Sequence, residues 1–490
     1  MNDNLIKLPY NKIRSLLINK DISAHELVMS YLAQAKVINP KCNMYREITE
    51  EYAINQAKKS QKRINSGKAL KIEAMPIAIK DNYCTKGILT TACSEILENF
   101  IPPYESTVTS RIFANGGIML GKTNMDEFGM GSSNTNSHFG DVINPYRANL
   151  VAGGSSGGSA VAVAVNSCLA ALGTDTGGSV RLPAAFTGTI GVKPTYGRCS
   201  RYGIIAFSSS FDQAGVFANN LLDAGLILES IMGFDENDST SKYVNEEPMI
   251  IEDMNKNIKG TKVGVIREYE KKDISPDIRY HLDKSKKWLQ EAGAELVEIS
   301  LPNIDHALAT YYIITSAESS SNLARYDGVR YGKRIEIEGD NFQEMIARTR
   351  GECFGKEVKR RIIAGTYVLC NNNIKSYYQK AQKVRRLIFE DFQKSFKKVD
   401  VILTPTSSTT AFALNEKLDP IKMYNNDLFT VPASLAGLPC ISMPVGLSKK
   451  SRLPVAIQMI AKSYDENTLF RFANVIEKSA NFHHAHSFNL

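Results

Sequence analysis

Two glycine-rich serine segments, Gly153-Gly154-Ser155-Ser156-Gly157-Gly158-Ser159 and Gly173-Thr174-Asp175-Thr176-Gly177-Gly178-Ser179, bracket the run Ala160-Val161-Ala162-Val163-Ala164-Val165. Glycine and serine also make flexible linkers. A solvated linker does not enclose a run of alanine and valine, so the stretch reads as buried backbone packed at close quarters. A helix beginning just after Gly157-Gly158 would aim its unpaired N–H groups back at the glycine turn and create a positive pole. In the second segment, Thr176-Gly177-Gly178-Ser179 offers successive amides with little side-chain bulk, able to converge on one oxyanion. A serine among converging amides is half of an acyl-transfer centre.

The other half is a base. Of the seven histidines, His483, His484 and His486 fall in the C-terminal tail and read as solvated terminus. His138 sits in the polar turn Asn134-Thr135-Asn136-Ser137-His138 with no acidic partner evident in the sequence. A Ser-His-Asp triad is poorly supported, and G-x-S-x-G is missing around Ser179. Lys80 is the alternative, because it ends the apolar stretch Met75-Pro76-Ile77-Ala78-Ile79. An ordinary lysine, with a pKa of about 10.4, is a free base at pH 7 in only about one molecule in two thousand. Burial lowers that pKa by up to about 3–5 units. Taken alone, the segment favours a strand-end surface lysine, or one paired with Asp81.

Gly116-Gly117-Ile118-Met119-Leu120-Gly121-Lys122-Thr123 fits the G-x-x-x-x-G-K-[ST] phosphate loop. That loop must lie between a strand and a helix. Here its variable positions are themselves an apolar run and the preceding segment is helical, so a buried strand ending in a polar turn is the expectation.

At 490 residues, with 43% hydrophobic and 22% charged residues, the chain has the balance of a soluble globular protein. Its net charge of +8, from 59 basic and 51 acidic residues spread along the chain, does not argue for a dedicated nucleic-acid module. Eight scattered cysteines form no C-x-x-C pair, which points away from structural zinc and disulfide frameworks and toward a reducing cytoplasm. No stretch is long and apolar enough to span a bilayer, and the N-terminus lacks a signal-peptide core.

The capping box Ser23-Ala24-His25-Glu26 opens an expected helix, and a second covers Glu50 to Asn65. Pro76–Ile79, Gly117–Lys122, Thr261–Ile266, Val399–Thr404, Pro439–Val445 and Pro454–Ile460 read as strands, with helices over Ser106–Asn115 and Ser275–Ala292. Helices alternating with short continuous apolar runs predict an α/β fold, a large mixed sheet covered by helices on both faces. One domain over 1–490 is expected, with a more charged segment at about 218–340 in the character of an insertion.

Together the serine segments and Lys80 resemble the amidase signature family, whose signature runs without a gap from Gly153 to Arg181. The resemblance implies Ser179 as nucleophile, Ser155 as bridging serine after a cis peptide bond, and Lys80 as base. It places the oxyanion amides at Thr176, Gly177, Gly178 and Ser179. Lys122–Ser133, Gly191–Gly197, Arg325–Gly332, Lys356–Ile362, Asn426–Ala433 and Leu435–Pro439 extend it to the branch that releases ammonia from glutamine for a tRNA-dependent amidotransferase. In that branch Arg360 and Asp427 would clamp the α-carboxylate and α-amino groups of glutamine, with Tyr311 a third contact and Arg361 the alternative to Arg360. The resemblance also implies B and C partner subunits in a heterotrimer. Mischarged tRNA would be held mainly by the B subunit, which would use ATP and magnesium, while this chain would carry no cofactor or metal. The alternative is a free-standing amidase acting on simple carboxamides.

Overall fold

The computed structural model describes residues 5–244, 249–414 and 424–482; the tail histidines lie outside them. Eleven strands join in one sheet: β1 (Tyr45–Ile48), β2 (Pro76–Lys80), β3 (Ile118–Thr123), β4 (Ala170–Asp175), β5 (Ile190–Lys193), β6 (Gln213–Ala218), β7 (Lys262–Ile266), β8 (Glu295–Ile299), β9 (Val401–Pro405), β10 (Cys440–Leu447) and β11 (Pro454–Ala461). Their order is β1-β3-β2-β4-β6-β5-β10-β11-β9-β7-β8. The sheet is mixed, as expected: β2 runs parallel to β3 and β4, β7 to β8 and β9, and the other neighbours are antiparallel. Every residue of β2, β3, β4, β5, β6, β9 and β11 is buried, so both faces are covered, which is why β2, β3, β9 and β11 read as continuous apolar runs; β4, β5 and β6 were not anticipated.

Local signals held where the chain has caps. Ser23 accepts from the Glu26 amide while Glu26 accepts from the Ser23 amide, and that box opens the helix Ala24–Cys42. Helices Glu50–Asn65, Thr107–Ala114 and Pro276–Glu291 stand where expected. The phosphate-loop look-alike is β3, with Lys122 buried in it and donating to the Tyr83 carbonyl oxygen at 2.7 Å and the Thr90 hydroxyl at 2.8 Å. Its ammonium is consumed inside the fold, which removes the nucleotide reading of that motif. Strands β7 and β8, from the more charged segment, extend the edge of the same sheet. Helix Ala307–Asn322, from that segment too, supports two further helices, Lys356–Leu369 and Lys380–Ser395. Among the described residues no helix is long and apolar enough to cross a membrane.

Candidate active site

The carboxyl ends of parallel strands are the usual place for a site in an open α/β sheet. Lys80 is the last residue of β2, and Thr174 and Asp175 end the neighbouring β4. The Lys80 side chain is fully buried. Its Nζ donates to Ser155 Oγ at 2.9 Å, Ser156 Oγ at 2.7 Å and Thr174 Oγ1 at 2.9 Å. Asp81, the alternative partner, instead meets Arg46 at 2.9 Å and Lys122 at 3.5 Å. Burial lowers the Lys80 pKa to about 7, against the opposing pull of Asp126, Asp175 and Asp212. A lysine so placed is a usable proton acceptor near neutral pH.

The two serine segments meet here. The Gly154-Ser155 peptide bond is cis. The Ser155 carbonyl oxygen accepts from the Asp126 amide at 3.1 Å, and the Ser156 amide donates to the Ser179 carbonyl oxygen at 3.2 Å. Helix Gly157–Ala164 starts as expected, but its positive pole is already used. The Gly157 amide donates to Asn134 Oδ1 at 2.8 Å and the Gly158 amide to the Asn124 carbonyl oxygen at 3.2 Å. The free amides belong to the second segment: those of Gly177, Gly178 and Ser179 donate to no protein acceptor among the described residues. Both glycines are sterically required. A Cβ on Gly177 would lie 2.6 Å from the Tyr311 ring, and one on Gly178, at φ +152°, would lie 2.3 Å from Thr430 Oγ1. Thr176 is held by its hydroxyl, which donates to Asp212 Oδ1 at 2.7 Å.

This turn is clamped from below by a buried ion pair. Arg181 donates through Nε and Nη2 to the two Asp175 oxygens at 3.0 and 2.9 Å. Its remaining donors reach the Thr430 carbonyl oxygen at 2.8 Å, Gln458 Oε1 at 2.6 Å and Ser434 Oγ at 2.8 Å. All five guanidinium hydrogens are thereby used. Residues 175–181, a short helix at Val431–Leu435 and β11 become one rigid unit.

Ser179 lines a cavity of about 160 Å³ together with Tyr312, Arg361, Tyr424 and Asp427. The two arginines expected as alternatives for the substrate carboxylate are placed differently. Arg360 reaches the rim of this cavity, but its side chain is 51% exposed and paired with Glu357. Arg361 is buried, donates by Nε to Glu357 at 2.8 Å, and lies 4.8 Å from the Tyr312 ring centroid. Its Nη1 is buried without a hydrogen-bond partner. A single residue step on the helix accounts for the difference, because Arg360 and Arg361 point about 100° apart and only one faces the core side. Asp427 adjoins the same tyrosine, its Oδ2 accepting from the Tyr312 hydroxyl at 2.7 Å; burial raises its carboxyl to about 7 despite the lowering effect of Tyr312 and Arg361. Tyr311 lines the same cavity and packs on Gly177.

Ser156, Thr174, Asp126 and Tyr312 were not singled out by sequence. The first two lie inside the glycine motif, where their type is a signal without a role attached; Asp126 and Tyr312 carry none. His138 has an acidic neighbour after all, Glu95 at 3.8 Å, but it lines a separate cavity rather than the one at Ser179.

A buried lysine joined to tandem serines, beside a turn of free amides and above a mixed sheet, defines a serine amidohydrolase, and the chain belongs to the amidase family, which residues 26–470 match. It is 51% identical over 487 residues to the A subunit of glutamyl-tRNA(Gln) amidotransferase from Orientia tsutsugamushi (strain Ikeda), covering 98% of each chain. It is 52% identical over 468 residues to the same subunit of Rickettsia bellii (strain OSU 85-389), covering 94% of each. The crystal structure of that subunit from Thermotoga maritima superimposes with a TM-score of 0.81 at 36% identity, covering 98% of this chain and 96% of that one.

Proposed function

We infer that the chain hydrolyses glutamine to glutamate and ammonia as the glutaminase component of a glutamyl-tRNA(Gln) amidotransferase. The observation that carries this reading is the buried Lys80–Ser155 hydrogen bond beside a cavity lined by one buried cation, Arg361, and one carboxylate, Asp427. A free amino acid carries both charges at its α-carbon, and this pair matches them. A simple carboxamide would have no use for either group.

Neutral Lys80 accepts the Ser155 proton as Ser155 accepts that of Ser179, while Ser179 Oγ bonds to the amide carbon. The Gly177, Gly178 and Ser179 amides, with Thr176 at the head of the turn, stabilise the oxyanion. The C–N bond then breaks, the leaving nitrogen takes a proton back through Ser155, and ammonia departs. Water, deprotonated along the same relay, attacks the acyl-Ser179 ester and frees glutamate. Ammonia passes to a B subunit that activates the glutamyl group on mischarged tRNA with ATP and magnesium. A C subunit braces a cytoplasmic heterotrimer, and this chain needs no cofactor or metal of its own.

Two measurements test the reading. Replacing Arg361 with alanine should raise KM for glutamine about 10–100-fold, the cost of a hydrogen bond to a charged group, and leave hydrolysis of a simple carboxamide little changed. Arg360→Ala should move KM by no more than about threefold, as for an exposed pair. Equal KM values for wild type and Arg361→Ala would remove glutamine as the substrate. The second is the pH profile. Lys80 acts only when neutral, so kcat should climb with pH through about 7 and level off above it. The limb belongs in kcat because, in the complex, the substrate ammonium keeps Asp427 ionised.

A further inference from the structure

The mild positive charge of the chain is not evenly placed. Residues 356–398 hold twelve basic and three acidic residues, a net charge of +9, against +8 for the whole chain. This stretch contains helices Lys356–Leu369 and Lys380–Ser395, which pack on helix Ala307–Asn322 and begin at the rim of the Ser179 cavity, at Arg360. Lys375, Lys380, Lys383, Lys394, Lys397 and Lys398 are exposed. Among the described residues the ion pairs of the stretch are those of Arg360 and Arg361 with Glu357 and of Arg386 with Glu390, so these lysines pair with no carboxylate. At 100° per residue, Lys380, Lys383, Arg386 and Lys394 fall within about 120° of the helix circumference and span about 21 Å. The third acidic residue, Asp391, is turned inward and accepts from Asn303 at 2.9 Å.

We propose that this lysine face contacts the sugar-phosphate backbone of the charged tRNA while its acceptor end is served by the partner subunit. The proposal rests on the functional reading above. Glu390, the one carboxylate on this face, pairs with Arg386, so the lysines stay unpaired; unpaired lysines match a polyanion, whereas lysine is depleted in protein–protein interfaces. Positive charge on this face would add affinity and no sequence preference, leaving recognition to the partner.

The test uses the assembled amidotransferase with Glu-charged tRNA(Gln), comparing wild type with the variant Lys380→Ala/Lys383→Ala/Lys394→Ala/Lys397→Ala. The four side chains are exposed and outside the catalytic centre, so glutaminase activity without tRNA should be unchanged. The dissociation constant for the charged tRNA should rise about tenfold or more at ~0.1 M salt, and the slope of log affinity against log salt should shrink by about 3–4, close to one unit per lysine. An unchanged slope and affinity would overturn the proposal. So would loss of co-purification with the partner subunits, which would make the face a protein seat. A wild-type assembly that does not release ammonia from glutamine would instead overturn the functional reading.

Discussion

Glutamine hydrolysis should fall by about 10³–10⁴-fold when Lys80 is replaced by methionine, with kcat carrying the loss. Methionine matches the stem in length and apolar character and removes only the ammonium. The Ser155 and Ser156 hydroxyls would then lose the nitrogen that lies 2.9 and 2.7 Å away, and Ser179 the relay that accepts its proton. Lys122 and Lys193 are equally buried but bond to main-chain carbonyls, so neither can substitute. Stability separates lost chemistry from lost folding. The folded pKa of Lys80 lies near 7, below its unfolded value of about 10.4, so the unfolded chain binds the extra proton between those pH values. Wild-type stability should therefore fall as pH drops from about 10 to 7, while the methionine variant lacks this term and gains on wild type over the same window. Denaturant midpoints across that range check the sign. A methionine variant that retains near wild-type turnover sinks the proposed relay.

Arg181→Leu should cost about 3–5 kcal/mol of stability, the typical result of leaving one partner of a buried ion pair unmatched. Asp175 would keep its charge with only the Val180 and Arg181 amides, at 3.1 and 3.4 Å, to hold it. The Thr430, Ser434 and Gln458 groups would lose their donors at the same moment. A double variant, Asp175→Leu/Arg181→Met, should recover much of that stability, because two apolar side chains no longer bury an unpaired charge. It should not recover activity, since the amides of residues 177–179 would have lost the clamp that aims them. Chemical unfolding and glutaminase assays on the same three proteins read both effects. Equal stability of Arg181→Leu and wild type would show that the pair is not what fastens the turn.

The strands at Pro76, Ile118, Val401, Cys440 and Pro454 were readable because a sheet covered on both faces demands uninterrupted apolar runs. The helix at Ser23 was readable from its capping box because a cap is a local bond between near neighbours. By contrast, β4 is Ala-Ala-Leu-Gly-Thr-Asp, a segment of small residues whose strand conformation comes from β2 and β6 on either side.

At the site the division is similar. By itself the sequence determined the chemical parts: a glycine turn with no side chains to block its amides, two serines, and a lysine behind an apolar strand. Contacts between distant segments decided the rest. Burial of Lys80 against Ser155, Ser156 and Thr174 brings its pKa down to about 7, and the turn of helix Lys356–Leu369 buries Arg361 while leaving Arg360 exposed. Tyr312, far from both in sequence, lies under the Arg361 guanidinium and bonds Asp427. Desolvation and pairing depend on what surrounds a group in space, and neighbours in sequence do not specify that.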